Sequence, residues 1–332
     1  MTAAIPSIDV DSQTDRIPDS IAHLGFLFLK SSSVPSPASI ERMFEIAQEF
    51  FLHESPEEKA KIGYTTGNVG WIRVRQEKLD ADVHPRGDIK EAFNMRPFDS
   101  NDIAQQPLSL SLARNQQDIA AFSRSCHQLC MRVLEALAES LNLAKDFFTS
   151  RHSYERPQGT ILRLLYYPPT DLREADRGME GDDIRAGAHS DYGSITLLFQ
   201  KDVAGLQILL PTSGKPTWLD APVVKDAILV NIGDLLDFWT GGKFKSTVHR
   251  VVLPRSEIEA GPRFSIAYFL HPDDDVLISR LITSTSEDET TTESDKRSIM
   301  NRFGVDPNAE PLTSKEWLAK RLEVTYRFKN EE

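Results

Sequence analysis

Along the first part of the chain, apolar residues recur at helical spacing. Ile40, Met43, Phe44, Ala47, Phe50 and Phe51 fall on one face of a 3.6-residue period. Pro56 interrupts that pattern, and Ser55-Pro56-Glu57-Glu58 has the composition of a new helix start. From Asn115 to Leu143 a long amphipathic stripe runs through Ile119, Phe122, Cys126, Leu129, Cys130, Val133, Leu134, Leu137 and Leu141, and it predicts the strongest helix of the chain. After Pro157 the pattern shortens. Ile161–Tyr167, Ile195–Phe199, Leu206–Leu210, Ala227–Ile232, Val248–Leu253 and Phe264–Leu270 read as strands, separated by Gly, Pro, Asp and Asn. Many short strands with turn signals between them predict a sandwich or barrel rather than a doubly wound sheet. A last helix is expected near Ser314–Leu322. Thr170–Arg185 and Ser284–Lys296 are dense in charged and hydroxyl residues and read as surface loops, ordinarily solvated linkers and in some proteins lids.

Composition narrows the class. The chain has 332 residues, 40% hydrophobic and 27% charged, enough to bury a core without staples. The formal net charge of -12 argues against nucleic acid or an anionic membrane as a partner held by a general basic field. Cys126 and Cys130 sit four apart on the predicted helix. They read as two small core residues rather than a disulfide or a metal pair. Met1–Val10 lacks the pattern of a signal peptide and no stretch has the length of a membrane span, so a cytoplasmic protein is expected, with a monomer as the default state.

Chemistry concentrates in the second half. In Gly187-Ala188-His189-Ser190-Asp191-Tyr192-Gly193, His189 and Asp191 are two positions apart, and on a strand they share one face. His249 lies on another predicted strand that a barrel can bring to the pair. Two histidines and one carboxylate leave positions open on an iron ion, as O₂ chemistry requires. Zinc is chemically possible with the same set, and a lone His189 would ordinarily be a hydrogen-bonded core histidine. Arg263 and Ser265 also share a strand face. A guanidinium grips a carboxylate through a planar fork, and a buried Arg needs an anion, either a protein carboxylate or a ligand. Tyr167 is a candidate phenol donor to the same anion and equally a core residue.

These residues are set in a longer series. Ile5-Pro6-Ser7-Ile8-Asp9, Gly25-Phe26-Leu27-Phe28 and Asp88-Ile89-Lys90-Glu91-Ala92-Phe93 precede His189-Ser190-Asp191. Gly205-Leu206-Gln207, Asn231-Ile232-Gly233-Asp234, Trp239-Thr240-Gly241-Gly242, His249-Arg250-Val251 and Arg263-Phe264-Ser265 follow it. In this order and over nearly the full length, the chain resembles the Fe(II)/2-oxoglutarate-dependent dioxygenases of the isopenicillin N synthase-like group.

The resemblance implies an α+β fold with a double-stranded β-helix (jelly-roll) core. Residues 1–155 would form a mainly helical region packed on the core, and 156–332 the core with its C-terminal helix, the two making one compact unit. It implies Fe(II) at His189, Asp191 and His249, with 2-oxoglutarate held by Arg263, Ser265 and Tyr167. The implied reaction uses O₂ to oxidise an unactivated C–H bond of a small molecule and releases succinate and CO₂. Secondary metabolism is one setting for it. Leu165 stands where many relatives carry an Asn that helps hold the cosubstrate, and Arg163 is the neighbouring polar residue with which to compensate.

Asn94, Arg185, Trp71 and Arg73, with Arg75, are candidates for substrate contact, each with a surface or structural reading beside it. Together they suggest a small polar or acidic substrate, with an aromatic one among the candidates. An oxidase of the same fold acting without 2-oxoglutarate, a non-catalytic binding protein and a zinc hydrolase are the competing readings. The last leaves Arg263 and Ser265 unexplained.

Overall fold

The structure is a computed structural model, and residues 4–30, 33–80, 87–169, 184–210, 217–253, 261–281, 302–305 and 310–325 are described. The expected loops Thr170–Arg185 and Ser284–Lys296 lie outside these residues, except Ile184 and Arg185.

Helices dominate the early chain. α1 (Ile17–Ala22) is followed by α2 (Pro37–His53), α3 (Pro56–Lys61), α4 (Leu110–Arg114) and α5 (Gln116–Ser140). α2 and α3 start as the sequence leads one to expect, with a proline in the first turn. The hydroxyls of Ser36 and Ser55 accept from the backbone N–H groups of Ser39 and Glu58. The stripe on α5 is buried, including both cysteines, which are free thiols.

The strands make two facing sheets. β1 (Ser7–Asp9), β2 (Phe26–Lys30), β3 (Gly70–Ile72), β4 (Glu91–Met95), β5 (Ile161–Tyr167), β7 (Ile195–Lys201), β10 (Ala227–Ile232) and β12 (Arg263–Leu270) form the larger sheet, in the order β1-β2-β10-β7-β12-β5-β4-β3. β6 (Ile184–His189), β8 (Leu206–Leu210), β9 (Thr217–Ala221) and β11 (His249–Val252) form the smaller one, ordered β6-β11-β8-β9. All their pairings are antiparallel except β1 with β2. A small ribbon of β13 (Leu277–Ile278) and β14 (Leu312–Thr313) leads into α7 (Ser314–Thr325), the expected last helix; α6 (Asp234–Trp239) follows β10. Four strands of the larger sheet come from the first 155 residues, so that region contributes to the sandwich as well as covering it.

Strand alternation sorts the larger sheet's two faces. On β12, Phe264, Ile266, Tyr268 and Leu270 join the core formed with α2 and α5. Arg263, Ser265, Ala267 and Phe269 point the other way and line a cavity. On β5, Leu162 and Leu164 face the helices, while Arg163, Leu165 and Tyr167 line the cavity. A second apolar cluster joins the two sheets, with Phe26, Leu165 and Ala267 from one and Ala186, Ile208 and Val251 from the other. The helices therefore cover one face of the larger sheet and leave the space between the sheets for chemistry.

Candidate active site

His189 is the last residue of β6, and His249 is the first of β11 and its direct cross-strand partner. Their ring centroids are 4.4 Å apart. Asp191 was expected on the same strand as His189, but β6 ends before it. The register slips between His249 and Val251. Beyond His189 the Asp191 carbonyl accepts from the Asp234 N–H (2.7 Å) at the start of α6, so it leaves the ladder. The turn after Asp191 sits tightly on the β10–α6 junction. A Cβ at Gly233 would lie 2.2 Å from the Gly193 carbonyl oxygen, which accounts for the glycine of Asn-Ile-Gly-Asp. The carboxylate still reaches both rings. Asp191 Oδ1 lies 3.6 Å from His249 Nε2 and 3.9 Å from His189 Nε2.

The remaining atoms of the three side chains are committed elsewhere. His189 Nδ1 is 2.7 Å from the Gly187 carbonyl and His249 Nδ1 is 3.1 Å from that of Thr247. A carbonyl only accepts, so both Nδ1 atoms carry a proton and both Nε2 atoms face the cluster. Asp191 Oδ2 accepts from Thr196 Oγ1 (2.6 Å) and Asn231 Nδ2 (2.8 Å), which leaves Oδ1 toward the rings. Burial, with His249 alongside, pushes the His189 pKa down to about 3, so its imidazole is neutral. Burial works against the Asp191 charge, but the two histidines and the two hydrogen bonds outweigh it and hold that pKa below the ordinary carboxylate value. A neutral imidazole and an ionised carboxylate are donor forms that a divalent metal needs. The three donor atoms lie within 4.8 Å of one another, and no other such group occurs among the described residues.

Arg263 is the second anchor. It is buried on β12 opposite Tyr167 on β5, with its guanidinium 4.8 Å from the centre of the Tyr167 ring. Nη1 donates to Ser265 Oγ and Nη2 to Gln200 Oε1, both at 3.3 Å, and Nε has no partner. Among the described residues no carboxylate pairs with it, and burial lowers its pKa. A buried cation without a counter-ion is costly, and an anionic ligand removes that cost. The residues fit the distal carboxylate of 2-oxoglutarate on this ground.

Arg163 and Leu165 also line this cavity. The Arg163 guanidinium makes two hydrogen bonds to Glu77, at 3.2 and 2.6 Å, while Leu165 adds apolar wall. Glu77 also pairs with Lys90 (2.9 Å), which pairs with Asp88, and Asp88 Oδ1 accepts from the Gly187 N–H (3.2 Å). The Asp and Lys of Asp88-Ile89-Lys90-Glu91 thus belong to a buried charge network tied to the strand that carries His189, while Glu91 pairs with Lys59 (3.2 Å). Burial opposes the Lys90 charge, but Asp88 and Glu77 outweigh it and raise its pKa.

A second cavity adjoins the same cluster. It shares Leu79, Arg163, His189, Asp191 and Phe269 with the first and adds Asn94, Tyr192, His271, Leu318 and Leu322, among others. Of the substrate candidates, Asn94 lines it. Arg185 is fully buried, donates to the Pro168 carbonyl (3.0 Å) and borders neither cavity. Trp71 packs in the helix-side core and donates to Glu91 Oε2 (2.8 Å). Arg73 is exposed in the turn after β3. Sequence reasoning gave no role to Thr196, Asn231, Gln200, Glu77 or Lys90. The alternation of β7, where Thr196 is polar among apolar neighbours, was the available signal for the first of these.

Comparison with known proteins agrees with this geometry. Residues 158–272 match the family described as the 2OG-Fe(II) oxygenase superfamily, and residues 5–115 match the non-haem dioxygenase N-terminal region described from morphine synthesis. A UPF0676 protein of Schizosaccharomyces pombe is 36% identical, over 98% of this chain and 93% of that one. The proline hydroxylase buaE of Petromyces alliaceus is 31% identical, over 76% and 80%. A full-length Neurospora crassa protein solved in complex with alpha-KG superposes with a TM-score of 0.74 at 29% identity, covering 96% of this chain and 95% of that one. The chain belongs to the 2-oxoglutarate- and Fe(II)-dependent oxygenase family. It is a 2-oxoglutarate-dependent dioxygenase with a jelly-roll core, using Fe(II), 2-oxoglutarate and O₂ to oxidise an unactivated C–H bond of a small organic molecule.

Proposed function

We propose that His189, Asp191 and His249 hold the iron, and that Arg263 and Ser265, with Tyr167 beside them, hold the distal carboxylate of 2-oxoglutarate. The observation that carries this reading is the pairing of two unmatched features in one cavity: three donor atoms turned toward one another, and a buried guanidinium with no counter-ion among the described residues. When bound, the iron supplies O₂ activation coupled to oxidative decarboxylation of the 2-oxo acid. The chain's own residues do the rest. Gly187 and Thr247 fix the histidine tautomers, while Thr196 and Asn231 orient Asp191. Arg263 offers its fork to the cosubstrate. The apolar walls from Phe26, Leu165, Leu206 and Val251 keep water from the reacting groups.

The small-molecule substrate occupies the second cavity, where Asn94 meets it; Arg185, Trp71 and Arg73 support the site from outside the cavities. The Neurospora crassa relative has also been solved with alpha-KG and thymine, and fungal relatives include buaE. On this reading the enzyme tailors a secondary metabolite or a related small heterocycle. It works as a cytoplasmic monomer with neither nucleic acid nor membrane as partner. No helix among the described residues is long and apolar enough to cross a membrane.

Anaerobic titration of the protein with Fe(II) and then 2-oxoglutarate tests the assignment. The expected result is the weak visible charge-transfer band of the chelate at one equivalent. Its loss in Asp191→Ala and its weakening in Arg263→Met are also expected. An unchanged band in Asp191→Ala overturns the ligand set.

A further inference from the structure

The second cavity carries more information about its occupant than its shape. Asn94 is 1% exposed, on β4 beside Arg163 of β5. Its Nδ2 is 3.1 Å from both the backbone carbonyl and the Oδ1 of Asn68. A backbone carbonyl can only accept, so the amide has one sensible orientation. Turning it over would set two oxygens against each other. Asn68 is itself held in place: it has a φ of 59°, its N–H donates to the Thr65 carbonyl (3.0 Å), and its Oδ1 accepts from the Tyr64 hydroxyl (3.1 Å). The Asn94 carbonyl is tied as well, accepting from Gln106 Nε2 (2.7 Å). What remains is Asn94 Oδ1, a buried acceptor with no partner. An unmatched buried acceptor carries an uncompensated desolvation cost, which a donor on a bound molecule recovers. A second unmatched atom, His271 Nδ1, belongs to a residue lining the same cavity.

Charge points the same way. Among the described residues lining this cavity, outside the metal cluster, the ionised groups are Arg163 and Glu77, and these are bonded to each other. The other described lining residues are apolar or neutral, with Leu79, Ile161, Phe269, Leu318 and Leu322 prominent.

We propose that Asn94 is a specificity-determining residue, and that the substrate is an uncharged molecule presenting an N–H or O–H donor to its Oδ1. This rests on the reading of the second cavity as the substrate site. It replaces the acidic substrate suggested by Arg73, Arg75 and Arg185 with a neutral one. A site with a fixed acceptor rejects an analogue lacking the donor far more strongly than one that is merely smaller.

The test is ligand-observed NMR on the protein loaded with Zn(II) and 2-oxoglutarate, loading being verified beforehand by equilibrium dialysis. The probes are thymine against 1,3-dimethylthymine, cyclohexanol against methoxycyclohexane, and cyclohexanecarboxylate. The expected result is that at least one donor-bearing probe binds tenfold or more tightly than its methylated partner and more tightly than the carboxylate. The winning pair tells an N–H from an O–H donor. In Asn94→Leu the preference is expected to vanish while the charge-transfer band of the Fe(II) and 2-oxoglutarate complex is kept. The proposal is overturned if neither pair shows a preference in the unaltered protein, if the carboxylate binds best, or if a folded Asn94→Leu keeps the preference. The unaltered protein alone decides the matter should that variant fail to fold. Absence of the band, by contrast, counts against the iron and cosubstrate assignment.

Discussion

His189 and His249 are direct cross-strand partners, with ring centroids 4.4 Å apart, at the end of one strand and the start of its neighbour. Two ligands on paired strands are positioned by the ladder itself, whereas Asp191 sits beyond the strand and needs other supports. Those supports are Thr196, Asn231 and the Asp234 N–H. Metal affinity should therefore respond to residues that never touch metal. Asn231→Leu and Thr196→Val are each expected to weaken Fe(II) binding by roughly 10- to 100-fold, the usual cost of losing such a support. Calorimetric titration with Fe(II) under anaerobic conditions measures this. Unchanged affinity in both variants would show that Asp191 is held by its backbone alone.

Arg263 gives a prediction with opposite signs in two states. Arg263→Met removes hydrogen bonds to a charged partner worth about 1.5–3 kcal/mol, so half-saturation by 2-oxoglutarate should rise roughly tenfold to a hundredfold. The same change removes a buried cation that lacks a counter-ion among the described residues, so the ligand-free variant should melt no lower than the unaltered protein. Melting curves with and without 2-oxoglutarate separate the two effects. A large loss of stability without ligand would mean that Arg263 is chiefly structural.

The Glu77–Lys90–Asp88 network with Arg163 is almost wholly buried. Glu77→Leu strips a shared counter-ion from two cations and is expected to cost about 3–5 kcal/mol of folding stability. Urea unfolding is the measurement, with a shifted midpoint and an unaltered slope expected. A shift below about 1 kcal/mol would place the network's value in orienting β6 through Gly187 rather than in stability.

Acid sensitivity follows from three histidines away from the metal cluster. Burial pushes His127 and His271 down to about 4 and His152 to about 3, all from an ordinary value of 6.5. Between those values and 6.5 the unfolded chain binds protons that the folded chain does not. Stability is thus undiminished above pH 6.5 and falls as pH drops through the interval toward 4. His152→Gln should flatten this slope while retaining hydrogen bonds to Phe148 and Ser194, which the imidazole now contacts at 2.7 and 2.9 Å. Denaturant midpoints measured from pH 7.5 to 4.5 provide the check.

Much of this was legible in the chain, and where it was not the reasons are physical. β5 and β10 match their apolar runs because each is buried on both faces, and β8 because its run is apolar with Leu206 and Ile208 buried; all three are bounded by turn residues. β9 escaped notice because Thr217–Ala221 is half exposed and mixed in character. β3 and β4, the last two strands at one end of the larger sheet, are short and were not among the strands expected from the pattern. The His-x-Asp spacing was visible, but its explanation as one strand face was not the structural one: a turn, not a pleat, delivers Asp191. Asn231 on β10 lies 40 residues from Asp191, and Gln200 on β7 lies 63 from Arg263. Their pairing depends on strand order, which a single sequence does not display. Arg185 and Trp71 attracted attention as polar or aromatic reach, and burial turned both to packing and backbone contacts.

The wall contributed by α7 has a consequence of a different kind. The strands bearing His249 and Arg263 are laced to neighbours on each side, so altering them disturbs the whole sandwich. Leu318 and Leu322 instead hang from one terminal helix, pinned by Trp317 Nε1 to the Tyr192 carbonyl and by Arg321 to Asp234. Gly159 makes room for that helix, since a Cβ there would lie 2.4 Å from a Leu318 methyl. Mutational drift at these few positions can recut the chamber while the oxidising machinery stays intact. A lineage built this way can change its diet without relearning its chemistry.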